Sequence, residues 1–378
     1  MSEPSLAPMR TWLAAPMNRD VSEAIERLRR APDVQKIAVM PDVHLAADVC
    51  IGVAVATSRL IYPQAVGGDI GCGMLAVRFD VEATALQDPR LAGQILAAIG
   101  RAVPARRRNR RAAVKPPSEL EMPLSHHSLE AVRNNDGALE FATLGSGNHF
   151  LELQGDEDGQ LWLMVHSGSR GLGHAIRDHH LGHAEVVGGG LRALDATSDP
   201  GMEYLHDANW ARCFADASRK AIAMEVEGVM RAMLNARLCW ETALTTDHNH
   251  VLLEPHGERD LWVHRKGAMP AAAAQPGVLP GSMGDSSFHV EGRGHEDALC
   301  SSAHGAGRAL SRTVARAQIT ERELRRQMNG VWYDYRLSDR LRDEAPAAYK
   351  DIKAVLRAQR DLVKVTRLLR PLLNYKHA

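Results

Sequence analysis

"IGVAVATSRLIYPQAVGGDIGCGMLAVRFD", from Ile51 to Asp80, decides how this chain is read. Short apolar, β-branched runs alternate in it with Ser, Pro and Gly, the mark of strands closed by turns. Its centre, "AVGGDIGCGM" (Ala65–Met74), sets one carboxylate, Asp69, and one thiol, Cys72, among four glycines. Glycine costs conformational entropy on folding, so such a cluster implies unusual backbone angles or a close approach to the main chain. Asp and Cys can both coordinate a metal, and a loop between strands can present them together.

Outward from this stretch the pattern stays mixed. "KIAVMPDVH" (Lys36–His44) predicts a buried strand that ends in a turn at Pro41 and Asp42. "LWLMVHSGSRGLGHAIRDHH" (Leu161–His180) predicts a strand, a Gly/Ser turn and a helix, and "DLWVHRK" (Asp260–Lys266) a further strand before the turn-rich "GVLPGSMGDSS". From Arg316 onward, apolar residues three or four apart in "DIKAVLRAQRDLVKVTRLLRPLLNY" predict helix, so 315–378 reads as a helical C-terminal part. Strands and helices without regular βαβ alternation predict an α+β fold, and no fixed-period repeat interrupts it. The arginine-rich 101–125 segment reads as a basic loop or insertion. Motifs on both sides of it need each other, so residues 1–378 are predicted to form one domain.

The length of 378 residues is enough to bury a full core. A formal net charge of zero argues against a general affinity for polyanions, but the distribution is uneven. "RAVPARRRNRRAAVK" (Arg101–Lys115) holds seven Lys or Arg and no acid, and Ser311–Ala378 holds 16 basic against 8 acidic residues. Such surfaces attract phosphate backbones, and they are equally the ordinary dress of a solvated loop and helix face. Cys50, Cys72, Cys213, Cys239 and Cys300 form no CxxC pair, which fits reduced thiols in a cell. The N-terminal "MSEPSLAPMRTWLAAPMNRD" lacks the cationic start and apolar core of a leader, and no segment predicts a bilayer span, so a cytoplasmic location away from membranes is expected.

Four more stretches place a histidine beside glycine or at a strand end: "LGSGNHFLEL" (His149), "VHSGSRGLG" (His166), "TDHNHVLLE" (His248 and His250) and "SSAHGAGRALSR" (His304). Carboxylate, imidazole and thiolate together make a mixed donor set suited to Mn, Fe or Zn. More than four ligands would imply two ions, and a thiolate can bridge them. Paired metals are the usual apparatus of phosphoryl transfer. Any one of these side chains alone is more often a structural residue, so the weight lies in the joint pattern. "PGSMG" (Pro280–Gly284) and "HGAGR" (His304–Arg308) carry the marks of a phosphate cradle, with Ser282 as a donor and Arg308 as an anion partner. Read without such a ligand, they are two tight turns.

Taken together, "MPDVH", "AVGGDIGCGM", "GSGNHFLEL", "HSGSRGLG", "DHNHVLLE", "HRKGA", "PGSMG", "SSAHGAGRALSR" and "LLNYK" resemble, in order, the RtcB family of GTP-dependent RNA ligases, from about Met40 to Lys376. The resemblance implies an α+β chain folded around a central metal and nucleotide cleft. It implies an enzyme that joins an RNA 3′-phosphate or 2′,3′-cyclic phosphate end to a 5′-hydroxyl end in RNA splicing or repair, using GTP and two Mn²⁺ ions. By the same resemblance Asp69, Cys72, His149, His166 and His248 would be the metal ligands, and His304 the nucleophile that takes GMP covalently. Asn148, Glu152, Ser282, Gly305, Gly307, Tyr349 and Lys376 would join His304 in holding the guanylate, with Glu152 reading guanine. The chain departs from the family at Ala46–Asp48, Gly68 and Ser146, none of them a proposed ligand. No accessory protein is assigned. Two other readings carry different expectations: a dinuclear metal-dependent phosphoesterase would open cyclic phosphate ends without ligation, and an inactive RNA-binding protein would have a broken ligand set.

Overall fold

A seven-stranded antiparallel sheet in the order β10-β5-β7-β6-β17-β15-β14 carries most of the candidate site on its strand ends. Its members are β5 (Gly73–Glu82), β6 (Phe150–Asp156), β7 (Gln160–Ser167), β10 (Leu238–Asp247), β14 (Pro276–Leu279), β15 (Ser287–Gly292) and β17 (Val363–Tyr375). A five-stranded sheet, β1-β2-β3-β12-β11, stands beside it, built from β1 (Met9–Thr11), β2 (Val34–His44), β3 (Ile51–Thr57), β11 (Asn249–His256) and β12 (Arg259–Lys266). Smaller sheets pair β13 (Ala268–Pro270) with β16 (Ser301–Ala303), and β4 (Leu60–Ile61) with β9 (Leu191–Asp195) and β8 (Glu185–Gly188). This computed structural model describes residues 6–377; residues 1–5, the start of the stretch read above for a leader, lie outside the described residues, as does residue 378. The α+β prediction holds. Among the described residues no helix is long and apolar enough to cross a membrane.

Alternation along β5 explains how the large sheet is buried on both faces. Leu75, Val77 and Phe79 pack with Leu163 and Val165 against Ile95 and Ile99 of the helix Pro89–Ala102 and against Ile222, Val226 and Met230 of the helix Asp199–Leu234. Met74 and Ala76 face the other way, onto Met164, Val278 and Leu369. The long helix starts where Ser198 accepts a hydrogen bond from the Gly201 N–H and stops at Asn235 in the left-handed conformation (φ 53°). From its middle the buried Arg219 guanidinium donates to Gly71 O (2.8 Å) and Ser167 O (2.9 Å), tying helix to site loop.

Two sequence expectations are corrected. Residues 363–375 are a strand between β17's neighbours β6 and β15, whereas helix in the C-terminal part is confined to Arg312–Gln318, Glu321–Gln327 and Ile352–Ala358, apart from single 3₁₀ turns. Val363, Val365 and Thr366 favour extended backbone, and Pro371, which would break a helix interior, is accommodated where the pairing with β6 shifts register between Pro371 and Leu373. Likewise β2 does not end at Pro41. It pairs at Val39↔Val53 and again at His44↔Ile51, so Pro41 and Asp42 lie in a bulge that needs no amide donor from proline.

The arginine-rich segment follows the helix Pro89–Ala102 as loop with two single turns, Arg110–Ala112 and Ser118–Leu120. Its arginines differ. Arg106, Arg107, Arg110 and Arg111 are exposed, whereas the Arg108 side chain is 8 % exposed and its guanidinium donates to Ala102 O (3.1 Å) and Ala142 O (2.9 Å). Arg108→Ala would leave two carbonyls unpaired and is expected to cost about 2–3 kcal/mol in denaturant unfolding. Arg106→Ala should cost under ~0.5 kcal/mol. Equal losses in the two variants would refute the anchoring role.

Candidate metal and nucleotide site

Four adjacent strands deliver the donors. β10 ends at Asp247 before His248, β5 begins at Gly73 after Cys72, β7 carries His166 one residue from its end, and β6 begins at Phe150 after His149. Because β10, β5, β7 and β6 are neighbours in that order, four strand ends converge on one point. The Asp69–Cys72 turn is closed by Cys72 N–H to Asp69 O (3.1 Å), and Asn249 holds it through Nδ2–H to Asp69 O (3.1 Å). Glycine is required here. Gly71 has φ +72°, and a Cβ on it would sit 2.6 Å from Arg212 Cα; one on Gly73 would sit 2.2 Å from Thr246 O.

Two donor triads result, Asp69/Cys72/His149 and Cys72/His166/His248, each with its ligand atoms within 4.8 Å of one another. Cys72 Sγ lies 3.4 Å from His149 Nε2 and 3.2 Å from His166 Nε2; His149 Nε2 is 2.8 Å from Asp69 Oδ2, and His166 Nε2 is 3.4 Å from His248 Nε2. Burial and the neighbouring His149 hold His166 well below the usual imidazole range, and burial with His304 does the same for His248, so both are neutral donors. Burial opposes ionisation of Asp69, but His149 beside it keeps the carboxyl below the usual range. Burial and the Asp69 carboxylate push the Cys72 thiol up, a shift a bound cation would reverse. Among the described residues, Asp69 Oδ1 is buried without a hydrogen-bond partner. Oxygen, nitrogen and sulfur donors suit divalent transition cations, whose bonds of roughly 2.0–2.3 Å put tetrahedral neighbours about 3.3–3.8 Å apart; the 3.4 Å separations match this, and the 2.8 Å Asp69–His149 hydrogen bond would open on binding.

A cavity of about 840 Å³ opens beside the second triad and is lined by His304, Asn148, Glu152, Ser282, Gly305, Gly307, Tyr349 and Lys376 together with His166. The His304 ring centroid is 4.6 Å from that of His248. Its Nδ1 lies 2.7 Å from Asp42 Oδ2, which also accepts from the His304 backbone N–H at 3.2 Å. The carboxylate therefore accepts a hydrogen bond from Nδ1–H, which keeps the proton there and leaves the lone pair on Nε2. Asn374 Nδ2 (2.6 Å) and Gln154 Nε2 (2.7 Å) donate to the two oxygens of buried Glu152. Lys376 donates to His149 O (3.1 Å) and pairs with Glu344 (3.1 Å), which also accepts from the Tyr349 hydroxyl. Ser282 Oγ donates to Asp285 (2.6 Å). The guanylate-binding residues named from the sequence thus line this cavity, with the triads of Asp69, Cys72, His149, His166 and His248 beside it, whereas His250 belongs to neither triad and is engaged by Arg265 (3.1 Å) and Asp247 (3.0 Å). Asp42, Gln154, Glu344 and Asn374 were not singled out as site residues; Asp42 and Asn374 stand inside the quoted "MPDVH" and "LLNYK", whereas Gln154 and Glu344 carry no local signal.

Paired donor triads sharing one cysteine, set against a cleft with a poised histidine, define a class of chain that can hold two cations next to a ligand. The family model described as "tRNA-splicing ligase RtcB" matches residues 24–137 and 121–377. RNA-splicing ligase RtcB of Escherichia coli K12 is 36 % identical over 401 residues, covering 98 % of this chain and 97 % of that protein. RNA-splicing ligase RtcB of Mycobacterium tuberculosis is 30 % identical over 84 % of this chain and 91 % of its own length, and tRNA-splicing ligase RtcB of Methanococcus maripaludis is 27 % identical over 90 % and 87 %. The chain belongs to the RtcB family.

Proposed function

We propose that this protein is a GTP-dependent RNA ligase that joins an RNA 3′-phosphate or 2′,3′-cyclic phosphate end to a 5′-hydroxyl end, in RNA splicing or repair. The observation that carries the reading is His304, fixed by Asp42 at Nδ1 and set against His248 of a metal triad at the cleft. Asp69, Cys72 and His149 would hold one Mn²⁺, and Cys72, His166 and His248 the other. When bound, such a pair stabilises charge on phosphate oxygens. His304 Nε2 attacks the α-phosphorus of GTP; the Nε2–P bond forms as the P–O bond to pyrophosphate breaks, and the Nδ1 proton stays hydrogen-bonded to Asp42. The guanylate then passes to the RNA 3′-phosphate, giving RNA-(3′)pp(5′)G, from which a 5′-hydroxyl displaces GMP. Asn148, Glu152, Ser282, Gly305, Gly307, Tyr349 and Lys376 hold the guanylate, and a cyclic phosphate is opened at the same site beforehand. Incubation with α-labelled GTP and Mn²⁺ should place an acid-labile GMP on His304. A metal-loaded, folded protein that forms no adduct yet opens cyclic phosphates would instead be the phosphoesterase.

Glu152 supplies a pH test. Burial raises its carboxyl to about 8, against hydrogen bonds from Asn374 and Gln154. At pH 7 the empty site therefore holds mostly the acid, whereas the guanine N–H edge calls for the carboxylate as acceptor. GTP affinity should rise about 9-fold from pH 6 to 7 and about 5-fold from pH 7 to 8, and flatten above. In Glu152→Gln titration calorimetry should show no such slope and a weakened preference for GTP over ATP. The same slope in both proteins would assign the titration to another group.

A further inference from the structure

Away from Cys72, the end of β11, the single 3₁₀ turn Glu296–Ala298 and the root of β16 bring His256, Glu296 and Cys300 together, their ligand atoms within 4.8 Å of one another. His256 Nδ1 lies 3.3 Å from Glu296 Oε2, and Cys300 Sγ lies 3.9 Å from Oε1 of the same carboxylate. These two separations lie within about 0.1 Å of the roughly 3.3–3.8 Å edges of a tetrahedral site, and the third edge, His256 to Cys300, is within 4.8 Å. The His256 side chain is 7 % exposed, so its ring is held in place rather than free in solvent. Glu254 approaches its Nε2 at 3.7 Å but is committed to the Arg265 guanidinium, and that Nε2 has no hydrogen-bond partner. His256 and Cys300 both line a second cavity of about 1050 Å³, between the 199–234 helix and β10–β11, which gives an ion and its remaining ligands a way in.

We propose that His256, Glu296 and Cys300 form a further cation site for a borderline-soft divalent ion of the Zn²⁺ class, with its open position facing the second cavity. Imidazole and thiolate beside one carboxylate select against Mg²⁺ and Ca²⁺, which take oxygen ligands. On binding, the Cys300 thiol gives its proton to solvent as the sulfur–metal bond forms. Cys300 directly precedes β16, the strand that leads into His304, so the ion fastens the root of that strand to the end of β11. The site stands independently of the ligase chemistry.

The test reads each cysteine separately. The native full-length protein is alkylated with N-ethylmaleimide with and without Zn²⁺, and the rates at the Cys300 and Cys213 peptides are followed by mass spectrometry. Cys213 lines the same cavity, is exposed and among the described residues belongs to no donor cluster, so it is the internal control. Zn²⁺ is expected to slow alkylation of Cys300 at least tenfold and to leave Cys213 unchanged. Glu296→Gln, at an exposed side chain, and His256→Ala should each abolish the protection. An unchanged Cys300 rate with Zn²⁺, equal slowing at Cys213, or protection that survives in Glu296→Gln would overturn the proposal.

Discussion

Cys72→Ala is expected to end RNA joining, lowering the rate by at least ~10³-fold, because a single sulfur is common to both donor triads and its loss leaves only Asp69 with His149 and His166 with His248. No other single substitution in the cluster damages both halves. On the proposed reading, bound manganese should fall from two equivalents toward none when the desalted protein is measured by elemental mass spectrometry. The fold should survive, since removing one buried sulfur costs only about 1–2 kcal/mol. The comparison with His248→Ala is informative: that variant touches one triad alone and should keep a cation held by Asp69, Cys72 and His149. Two tightly bound ions in Cys72→Ala, together with undiminished ligation, would dismantle the shared-thiolate site.

The second large effect separates the proposed nucleophile, His304, from the group that orients it. His304→Ala should form no guanylate adduct at all, while GTP still binds through the remaining walls of the cleft. Asp42→Asn keeps the shape but removes the charge that holds the proton on Nδ1; an amide can donate to Nδ1 and move that proton to Nε2, blocking the lone pair. Adduct formation in this variant should slow by about 10²–10⁴-fold with GTP affinity nearly unchanged, the size seen when a histidine's carboxylate partner is neutralised elsewhere. Rapid-quench measurement of labelled adduct gives the rate and calorimetry the affinity. A normal adduct rate in Asp42→Asn, or an adduct that persists in His304→Ala, would assign the nucleophile to another residue.

Much of this cleft could be read from the linear chain because Asp69, Cys72, His149, His166, His248 and His304 each stand near glycine or at a strand end. Their convergence could not, since it depends on β10, β5, β7 and β6 lying side by side, an order set by pairings between residues as far apart as Met74 and Thr246. Asp42 was read only as part of a turn, because a carboxylate after proline looks like one until His304 is placed against it. The C-terminal stretch misled for a different reason. Leucines three or four apart satisfy a helical period, and the same residues fit a strand once a register shift at Pro371 is allowed.

The place of β17 also sets the order in which the protein can come into being. β6 and β15 do not pair with each other; both pair with residues 363–375, between them. While a nascent chain still has those residues inside the ribosome, two strands of the large sheet keep a bare, apolar edge, a surface that chaperones would have to shield. The wall of the cleft is incomplete until then too, because Asn374 and Lys376, which line it, arrive with the same segment. On the proposed function, catalytic power would therefore appear abruptly, only once residues 363–376 have emerged and paired.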